Sequence, residues 1–331
     1  MKKYTAEDLT ELAREFQAPS ILIAAAELDV FSALRCAPAG SEELASRIHS
    51  DPRATGILLD ALASMGLLDK SGGLYAVPAD LAGMLTETGD ASILGILRHQ
   101  GNCMRRWGQL ARVVLTGNCV RDQESVRGAA GDTASFIRAM HEISGRIALA
   151  LIDSLGPLQF SHLLDIGGAS GTWTIPFLQR CPGAKATVFD LPEVIPMAAD
   201  VIRASGMEGR IRLVAGDYLT DDLPGGADLA WVSAIVHQNS REQNRKLFMK
   251  VFAVLVPGGT VLIREVVVDE SRTAPVMGAF FAVNMLVGTP YGGTFTFGEL
   301  REDLAAAGFV DVRLLRKGEA MDSIVAATKA S

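Results

Sequence analysis

The chain has 331 residues, of which 49% are hydrophobic and 21% are charged, and its formal net charge at pH 7 is −7. This composition is that of a globular protein rather than a disordered one, and the length is sufficient for two domains of ordinary size. The negative charge disfavours nucleic acid as a partner, because binding to phosphates depends on basic residues.

The cysteines and the apolar segments indicate the compartment. The four cysteines are widely spaced and include no Cys-x-x-Cys pair, which predicts neither a zinc site nor a disulfide framework. The first eight residues soon turn acidic and contain no apolar signal core, and no run of 18 apolar residues occurs. We therefore expect a cytoplasmic protein with no membrane-spanning segment and no bound metal.

The first hundred residues predict a winged helix. Helical periodicity covers residues 5–35, Ser41 is a candidate helix N-cap, and Asp51 followed by Pro52 is a strong helix start. Residues 67–77 then follow as a small hairpin. Three helices and a hairpin are the elements of a winged helix.

The charge of this domain opposes DNA binding. Residues 1–100 contain eight basic and fourteen acidic side chains, a net charge of −6, and such a domain repels phosphates. The segment from Thr5 to Leu34 also has more apolar positions than one face of a small domain needs, so we expect a partner chain to cover part of it. Dimerisation is therefore favoured. A ligand-sensing regulator that binds DNA remains the alternative from another class of function.

Residues 91–150 are predicted to be helical, with a turn-rich break at residues 116–118. After the break, Phe136 and Met140 are four residues apart and therefore share one helix face. From this spacing alone, packing in a helix core is favoured over contact with a ligand.

The segment from 163 to 173 carries the strongest functional signal. Apolar residues lead into Asp165 and then into Gly167, Gly168 and Gly171, after which a helical pattern begins; a second apolar run ends in Asp190, nineteen residues after Gly171. Glycines let a ligand approach the backbone, and a helix start offers free N–H groups. A carboxylate at the tip of the second strand can accept hydrogen bonds from both hydroxyls of a ribose. The pattern therefore predicts a nucleoside site.

An NAD-binding domain is the first alternative hypothesis for such a glycine motif. Two observations oppose it: about half of the chain precedes the motif, and residues 308–315 and 323–328 predict two strands whose short connection makes them antiparallel. Asp165 before the glycines and a terminal hairpin are typical of class I S-adenosylmethionine-dependent methyltransferases, which this chain resembles. The winged-helix N-terminus is similar to that of small-molecule O-methyltransferases of the caffeate and hydroxyindole (acetylserotonin) type.

The resemblance implies an α/β fold with a Rossmann-like, mostly parallel sheet containing one antiparallel strand. We expect a winged-helix dimerisation domain over residues 1–98, a helical connection over 99–150 and a cofactor-binding domain over 151–331. The implied cofactor is S-adenosyl-L-methionine. The expected partners are a small-molecule acceptor and a second copy of the chain, without nucleic acid or membrane.

Further strand ends complete the predicted cofactor site. Residues 191–194 are predicted to begin a helix, residues 211–215 form a strand before an acidic turn, and the strand over 229–236 ends at His237. The tips of parallel strands open onto one crevice, where an Asp can accept from the adenine amine and a Tyr can cover the ring. The predicted cofactor-binding residues are Asp165, Gly167, Gly168, Gly171, Asp190, Leu191, Gly216, Asp217, Tyr218 and Ser233.

His237 is the candidate general base. Of the five histidines, it alone is predicted at a strand tip on the ligand edge, and imidazole titrates near neutral pH. In the resembled family the base is followed by Asp and Trp, whereas Gln238 and Asn239 stand here. Glu265 matches a family carboxylate that orients the base, but a second carboxylate after a glycine pair is missing. This departure leaves carbon methylation, or another reaction on the same fold, as alternatives.

The resemblance also implies where the acceptor binds. The family helix with a Phe-x-x-x-Met pattern lines the acceptor pocket, and the C-terminal substrate loop contributes further residues. The predicted acceptor-lining residues are Phe136, Met140, Asn284, Met285 and Thr289. This mostly apolar set with a few polar groups suits a flat phenolic or enolic metabolite.

Overall fold

The computed structural model describes residues 3–89, 91–119 and 123–331. These residues form two compact units, one containing residues up to 108 and 123–143, the other residues 109–119 and 144–331. In chain order the elements are α1 (Ala6–Arg14), α2 (Gln17–Glu27), α3 (Val30–Leu34), α4 (Ser41–Arg47), α5 (Pro52–Ser64), β1 (Asp69–Ser71), β2 (Leu74–Ala76), α6 (Ala79–Leu85), α7 (Leu94–Trp107), α8 (Leu110–Thr116), α9 (Gly128–Ser154), β3 (His162–Ile166), α10 (Thr174–Arg180), β4 (Lys185–Asp190), α11 (Ile195–Ser205), β5 (Ile211–Ala215), β6 (Ala227–Ser233), α12 (Arg241–Val254), β7 (Leu255–Glu265), β8 (Val267–Val268), α13 (Val276–Gly288), β9 (Phe295–Thr296), α14 (Phe297–Ala306), β10 (Val310–Arg316) and β11 (Ser323–Thr328).

The first unit is built mainly from short helices. The helical periodicity over residues 5–35 corresponds to three helices. A turn at residues 15–16 separates α1 from α2, and Asp29, with a left-handed backbone (φ 59°), separates α2 from α3. The helices α2 to α5 and the hairpin β1–β2 enclose an apolar core that includes Phe31, Leu44, Leu59 and Leu62. The antiparallel pairing of β1 and β2 confirms the predicted hairpin.

Two predicted helix starts in this unit have different outcomes. Asp51 caps α5 as predicted, since its side chain accepts from the backbone N–H of Ala54 at 2.8 Å and Pro52 is the first helical residue. The prediction that Ser41 caps α4 was wrong. The extended cap residue is Gly40, and Ser41 is already in the helix.

The second unit contains a seven-stranded sheet. Its strand order is β10-β11-β7-β6-β3-β4-β5, and β11 is antiparallel to both of its neighbours, as predicted, while the other pairs are parallel. The chain runs outward from β3 to β4 and β5, and then returns to add β6 on the other side of β3. This reversal leaves a crevice at the carboxyl ends of the central strands, where open α/β sheets bind ligands.

Both faces of the sheet are covered by apolar side chains. Successive residues of a strand point to opposite faces, so that Leu163 and Trp231 pack in one cluster while Leu164 and Val232 pack in the other. A sheet buried on both faces fixes its register, because a shift of one residue would exchange the two sets.

Two element ends in the second unit differ from the predictions. The helix after Asp190 begins at Ile195 with a Pro in its first turn, whereas residues 191–194 form a preceding turn. The strand β6 ends at Ser233, and His237 lies in a short 3₁₀ helix rather than in the strand. The reason is Ala234, whose positive φ of 58° turns the chain while its N–H donates to the carbonyl of Arg264. No helix in the described part of the chain is both long and apolar enough to span a bilayer.

Candidate active site

The turn after β3 requires glycine. Gly167 and Gly171 have positive φ angles of 67° and 73°, in the left-handed region that favours glycine. A Cβ on Gly168 would lie 2.8 Å from Cγ of Asp165 and 2.9 Å from Cγ1 of Val188, closer than van der Waals contact allows. The turn is therefore a compact cradle whose backbone a ligand can approach.

Asp190 is held directly beside this turn. Its Oδ2 accepts from the backbone N–H of Ala169 at 2.7 Å, and its Oδ1 accepts from the N–H of Leu191 at 2.7 Å. Burial raises the pKa of Asp190, while these two bonds oppose that shift. Each carboxylate oxygen has a further lone pair, so the group can accept two more hydrogen bonds from a ligand.

Asp165 lies below the turn and is 1% exposed. Its Oδ2 accepts from the hydroxyl of Thr174 at 2.5 Å, and Oδ1 has no hydrogen-bond partner among the described residues. Burial raises the pKa of Asp165 to about 7. A Cβ at position 168 would collide with this side chain, so Asp165 requires glycine at that position of the turn.

The loop after β5 lies at the same carboxyl edge of the sheet as the glycine turn and Asp190. A Cβ on Gly216 would lie 2.5 Å from the ring of Phe189, so only glycine fits there. The carboxylate of Asp217 accepts from the N–H of Leu219 at 2.8 Å. Tyr218 is half-buried, and its hydroxyl donates to Oδ1 of Asn239 at 3.3 Å. Burial raises the pKa of Tyr218.

His237 and Glu265 form a buried hydrogen-bonded pair. Nδ1 of His237 lies 2.7 Å from Oε1 and 2.9 Å from Oε2 of Glu265, and the backbone N–H of His237 donates to Oε2 at 2.7 Å. The two residues are 6% and 1% exposed. Nε2 forms no hydrogen bond within the described part of the chain. A carboxylate can only accept, so this geometry requires the hydrogen on Nδ1 and leaves the lone pair on Nε2.

Two further contacts orient the histidine. The ring of Phe281 on α13 meets it edge-on, with centroids 4.8 Å apart. The carbonyl of His237 accepts from the N–H of Gly293 at 2.9 Å, and a Cβ on Gly292 would lie 2.4 Å from that carbonyl oxygen. The glycine pair therefore allows the C-terminal loop to pack against the turn that carries the histidine.

The predicted acceptor residues occur in both units. Phe136 is 43% exposed and Met140 is half-buried, both on the part of α9 in the first unit. In the second unit, Met285 is buried and Asn284 is half-buried on α13, one turn after the residue that contacts His237. The hydroxyl of Thr289 donates to the carbonyl of Met285 at 2.7 Å. The acceptor pocket remains a prediction.

Sequence reasoning missed the residues that support the base. Asn239 donates to Asn244 at 3.1 Å, and Asn244 donates to the carbonyl of Val236 at 3.0 Å, which braces the 3₁₀ helix. The sequence signal for this was weak: two asparagines five residues apart near a helix start. Arg264, adjacent to Glu265, was also missed, although a charged residue in an apolar strand is a visible irregularity.

The fold and the site together define an α/β enzyme with a glycine turn at the carboxyl ends of its central strands and a buried histidine–carboxylate pair. Two family models match the chain: an O-methyltransferase domain over residues 123–310 and an O-methyltransferase dimerisation domain over residues 10–88. The chain belongs to the O-methyltransferase family.

Curated relatives cover nearly the whole chain. It is 33% identical to 3-hydroxy-5-methyl-1-naphthoate 3-O-methyltransferase of Streptomyces sahachiroi, over 97% of this chain and 95% of that protein. It is 30% identical to the tetracenomycin polyketide synthesis 8-O-methyl transferase of Streptomyces glaucescens, over 92% of each chain. It is also 30% identical to human acetylserotonin O-methyltransferase, over 96% of each.

Solved structures show the same fold. Human N-acetylserotonin methyltransferase in complex with SAM superposes with a TM-score of 0.80 at 28% identity, over 100% of this chain and 99% of that one. PigF with SAH superposes with a TM-score of 0.86 at 25% identity, over 98% and 100%. The protein is thus an S-adenosylmethionine-dependent O-methyltransferase, and the glycine cradle with the spare lone pairs of Asp190 fits the nucleoside part of that cofactor.

Proposed function

We propose that the protein methylates a hydroxyl on an aromatic ring of a small, largely apolar metabolite, with His237 as general base and Glu265 orienting it. The observation that carries this proposal is the buried His237–Glu265 pair, in which Nδ1 is bonded and Nε2 is left as the acceptor.

The proton path follows from this arrangement. When bound, S-adenosylmethionine supplies an electrophilic methyl group on a sulfonium. The acceptor hydroxyl would give its proton to Nε2 of His237 as its oxygen bonds to the methyl carbon, and the carbon–sulfur bond would break with its electron pair left on sulfur, so that S-adenosylhomocysteine leaves. Glu265 would stabilise the imidazolium that forms. Positioning of the two reactants contributes about 7–11 kcal/mol, and the base contributes roughly 10²–10⁴-fold.

We further propose that the cofactor lies along the carboxyl edge of the central strands. The residues assigned to it are Asp165, Gly167, Gly168, Gly171, Asp190, Leu191, Gly216, Asp217, Tyr218 and Ser233. Asp190 would accept from the ribose hydroxyls and Asp217 from the adenine amine. Leu191, which is 40% exposed, and Tyr218 would flank the base.

The acceptor class rests on three supports. One relative is named for a hydroxynaphthoate and another for a polyketide pathway. A phenol, with a pKa near 10, gives up its proton far more readily than an aliphatic alcohol, which suits a histidine assisted by one carboxylate. The residues assigned to the pocket are mostly apolar: Phe136, Met140, Asn284, Met285 and Thr289.

The acceptor proposal predicts which compounds are methylated. In a screen with methyl-labelled cofactor, we expect transfer to hydroxynaphthoates and phenolic polyketides. The matched control is the same ring system lacking the hydroxyl, which should take up no label. Mass spectrometry and NMR of the product should locate the methyl group on oxygen. A methylated carbon, or turnover only with aliphatic alcohols, would contradict the proposal.

We also propose that the chain is a homodimer, with residues 1–98 forming the dimerisation module. The helix α1 has no buried residue, and Leu9, Leu12 and Phe16 are 53%, 51% and 60% exposed. Leu9 and Leu12 lie on α1 and Phe16 lies in the turn before α2, and apolar side chains this exposed need a covering surface. The net negative charge of residues 1–100 favours a protein over a nucleic acid as that surface.

The dimer predicts a defined change in mass. Light scattering should give twice the chain mass of 35.1 kDa for the wild type. The double variant Leu9→Glu/Leu12→Glu should give a single-chain mass, because two charges would be buried without partners. Leu315→Glu, at an exposed position of β10, is the control and should remain dimeric. A single-chain mass for the wild type across a concentration series would refute the dimer.

A further inference from the structure

Arg264 is a buried cation at the carboxyl end of β7. It precedes Glu265, and because successive strand residues alternate, its side chain lies on the opposite face of the sheet. It is 2% exposed. The guanidinium carbon lies 4.4 Å from the centroid of the Trp173 ring, and Nη1 donates to Oγ of Ser233 at 3.0 Å. The guanidinium thus lies between the residue that precedes α10 and the tip of β6.

This cation has no counter-ion in the described residues. No carboxylate oxygen there lies within 4.0 Å of its nitrogens, and its Nε is buried without a hydrogen-bond partner. Glu265 and Asp322 act on it only from a greater distance, and burial lowers the pKa of Arg264 to about 10. A buried charge without a partner is unfavourable, so the site favours an anionic ligand.

Arg264 lies at the same edge of the sheet as the residues proposed to bind the cofactor. Along that edge the strands follow in the order β4, β3, β6 and β7, which places Asp190, the glycine turn, Ser233 and Arg264 in sequence. Neighbouring strands are about 4.8 Å apart. The strand β6, which ends at Ser233, is two strands from β4, which ends at Asp190, so these two strands are roughly 10 Å apart. A ligand whose ribose is held at Asp190 and which crosses the turn therefore has its other end directed toward the guanidinium.

We propose that Arg264 binds the carboxylate of the methionine portion of S-adenosylmethionine. That carboxylate is the only anionic group of the cofactor, and the planar fork of a guanidinium matches its two oxygens. Ser233 and Trp173 hold the fork in place through the hydrogen bond and the stacking contact. This inference rests on the cofactor site proposed above and adds to it a residue that binds the amino-acid portion of the cofactor.

Two nucleoside ligands distinguish binding of the cofactor carboxylate by Arg264 from a purely structural role of this residue. S-adenosylhomocysteine carries the amino-acid carboxylate, whereas 5′-methylthioadenosine has the same nucleoside and thioether but lacks the amino acid. In calorimetric titrations, Arg264→Gln should weaken S-adenosylhomocysteine binding by about 10- to 100-fold, since hydrogen bonds to charged groups have such an effect. The affinity for 5′-methylthioadenosine should stay unchanged. Arg212→Gln, at an exposed position on β5 of the same sheet, is the matched control and should change neither affinity.

Each other outcome has a definite meaning. An equal loss for both ligands would show that Arg264 only supports the fold, and an unchanged affinity for S-adenosylhomocysteine would show that it does not contact the carboxylate. Either result overturns the inference. Arg264→Lys keeps the charge but not the fork, and should give a smaller, still ligand-selective loss even if the Gln variant fails to fold. A wild type that binds neither ligand would refute the underlying cofactor site itself.

Discussion

Replacing His237 by Ala should lower kcat by about two to four decades, because the acceptor hydroxyl would lose the base that takes its proton. The affinity for S-adenosylhomocysteine should stay within about twofold of the wild type, since the ring bonds to Glu265 rather than to the glycine turn. The measurements are steady-state turnover with a phenolic acceptor and a calorimetric titration of the same preparation.

A matched control and a double variant sharpen this test. His162 begins β3 at the opposite end of the sheet, where it pairs with Thr187, and His162→Ala should retain kcat. Glu265→Gln should also lower kcat, and the double variant His237→Ala/Glu265→Gln should be little slower than His237→Ala, because residues that act as a unit are not additive. Wild-type turnover by His237→Ala would mean that the acceptor arrives already deprotonated or that another group is the base.

Replacing Asp190 by Ala should weaken S-adenosylhomocysteine binding by roughly 10²–10⁴-fold. The carboxylate would no longer accept from the two ribose hydroxyls, and each hydrogen bond to a charged group contributes about 1.5–3 kcal/mol. The bonds to the N–H groups of Ala169 and Leu191 would be lost as well, so the turn itself becomes less ordered. Calorimetric titration measures the change.

The control for this variant is Asp200→Ala. Asp200 is an exposed residue of α11 that pairs with Arg203, and its removal should leave the affinity unchanged. Asp190→Asn should fall between the wild type and the Ala variant, because the amide retains one acceptor oxygen. If Asp190→Ala binds S-adenosylhomocysteine as tightly as the wild type, with an unaltered melting temperature, the ribose is not held at this strand tip.

The elements that depend on local patterns could be predicted from the sequence. The glycine spacing after Asp165 predicted the turn because only glycine tolerates its backbone angles and close contacts. The strand over 211–215 and the terminal hairpin followed from apolar runs and short connections. The cap at Asp51 followed from one side chain and the proline after it.

Other features depend on residues that are distant in the sequence and could not be predicted from local patterns. At the break between α2 and α3, the carboxylate of Asp29 pairs with Arg98 and Arg127, which are distant in the sequence. The strand β6 ends at Ser233 because the N–H of Ala234 donates to the carbonyl of Arg264 on β7. The contact between His237 and Glu265 joins residues 28 positions apart, and it forms only because β6 and β7 are adjacent in the sheet.

Arg264 shows most clearly that local sequence does not determine which residues meet in the fold. In the sequence it is one charged residue beside another, and nothing local tells which of the two meets the histidine. The register of β7 against β6 pairs Arg264 with Ser233 and directs Glu265 to the other face. Because strand side chains alternate, a shift of one residue would exchange the faces on which Arg264 and Glu265 lie. Long-range packing sets the register of the sheet, and the register therefore determines which of the two charged side chains lies on which face.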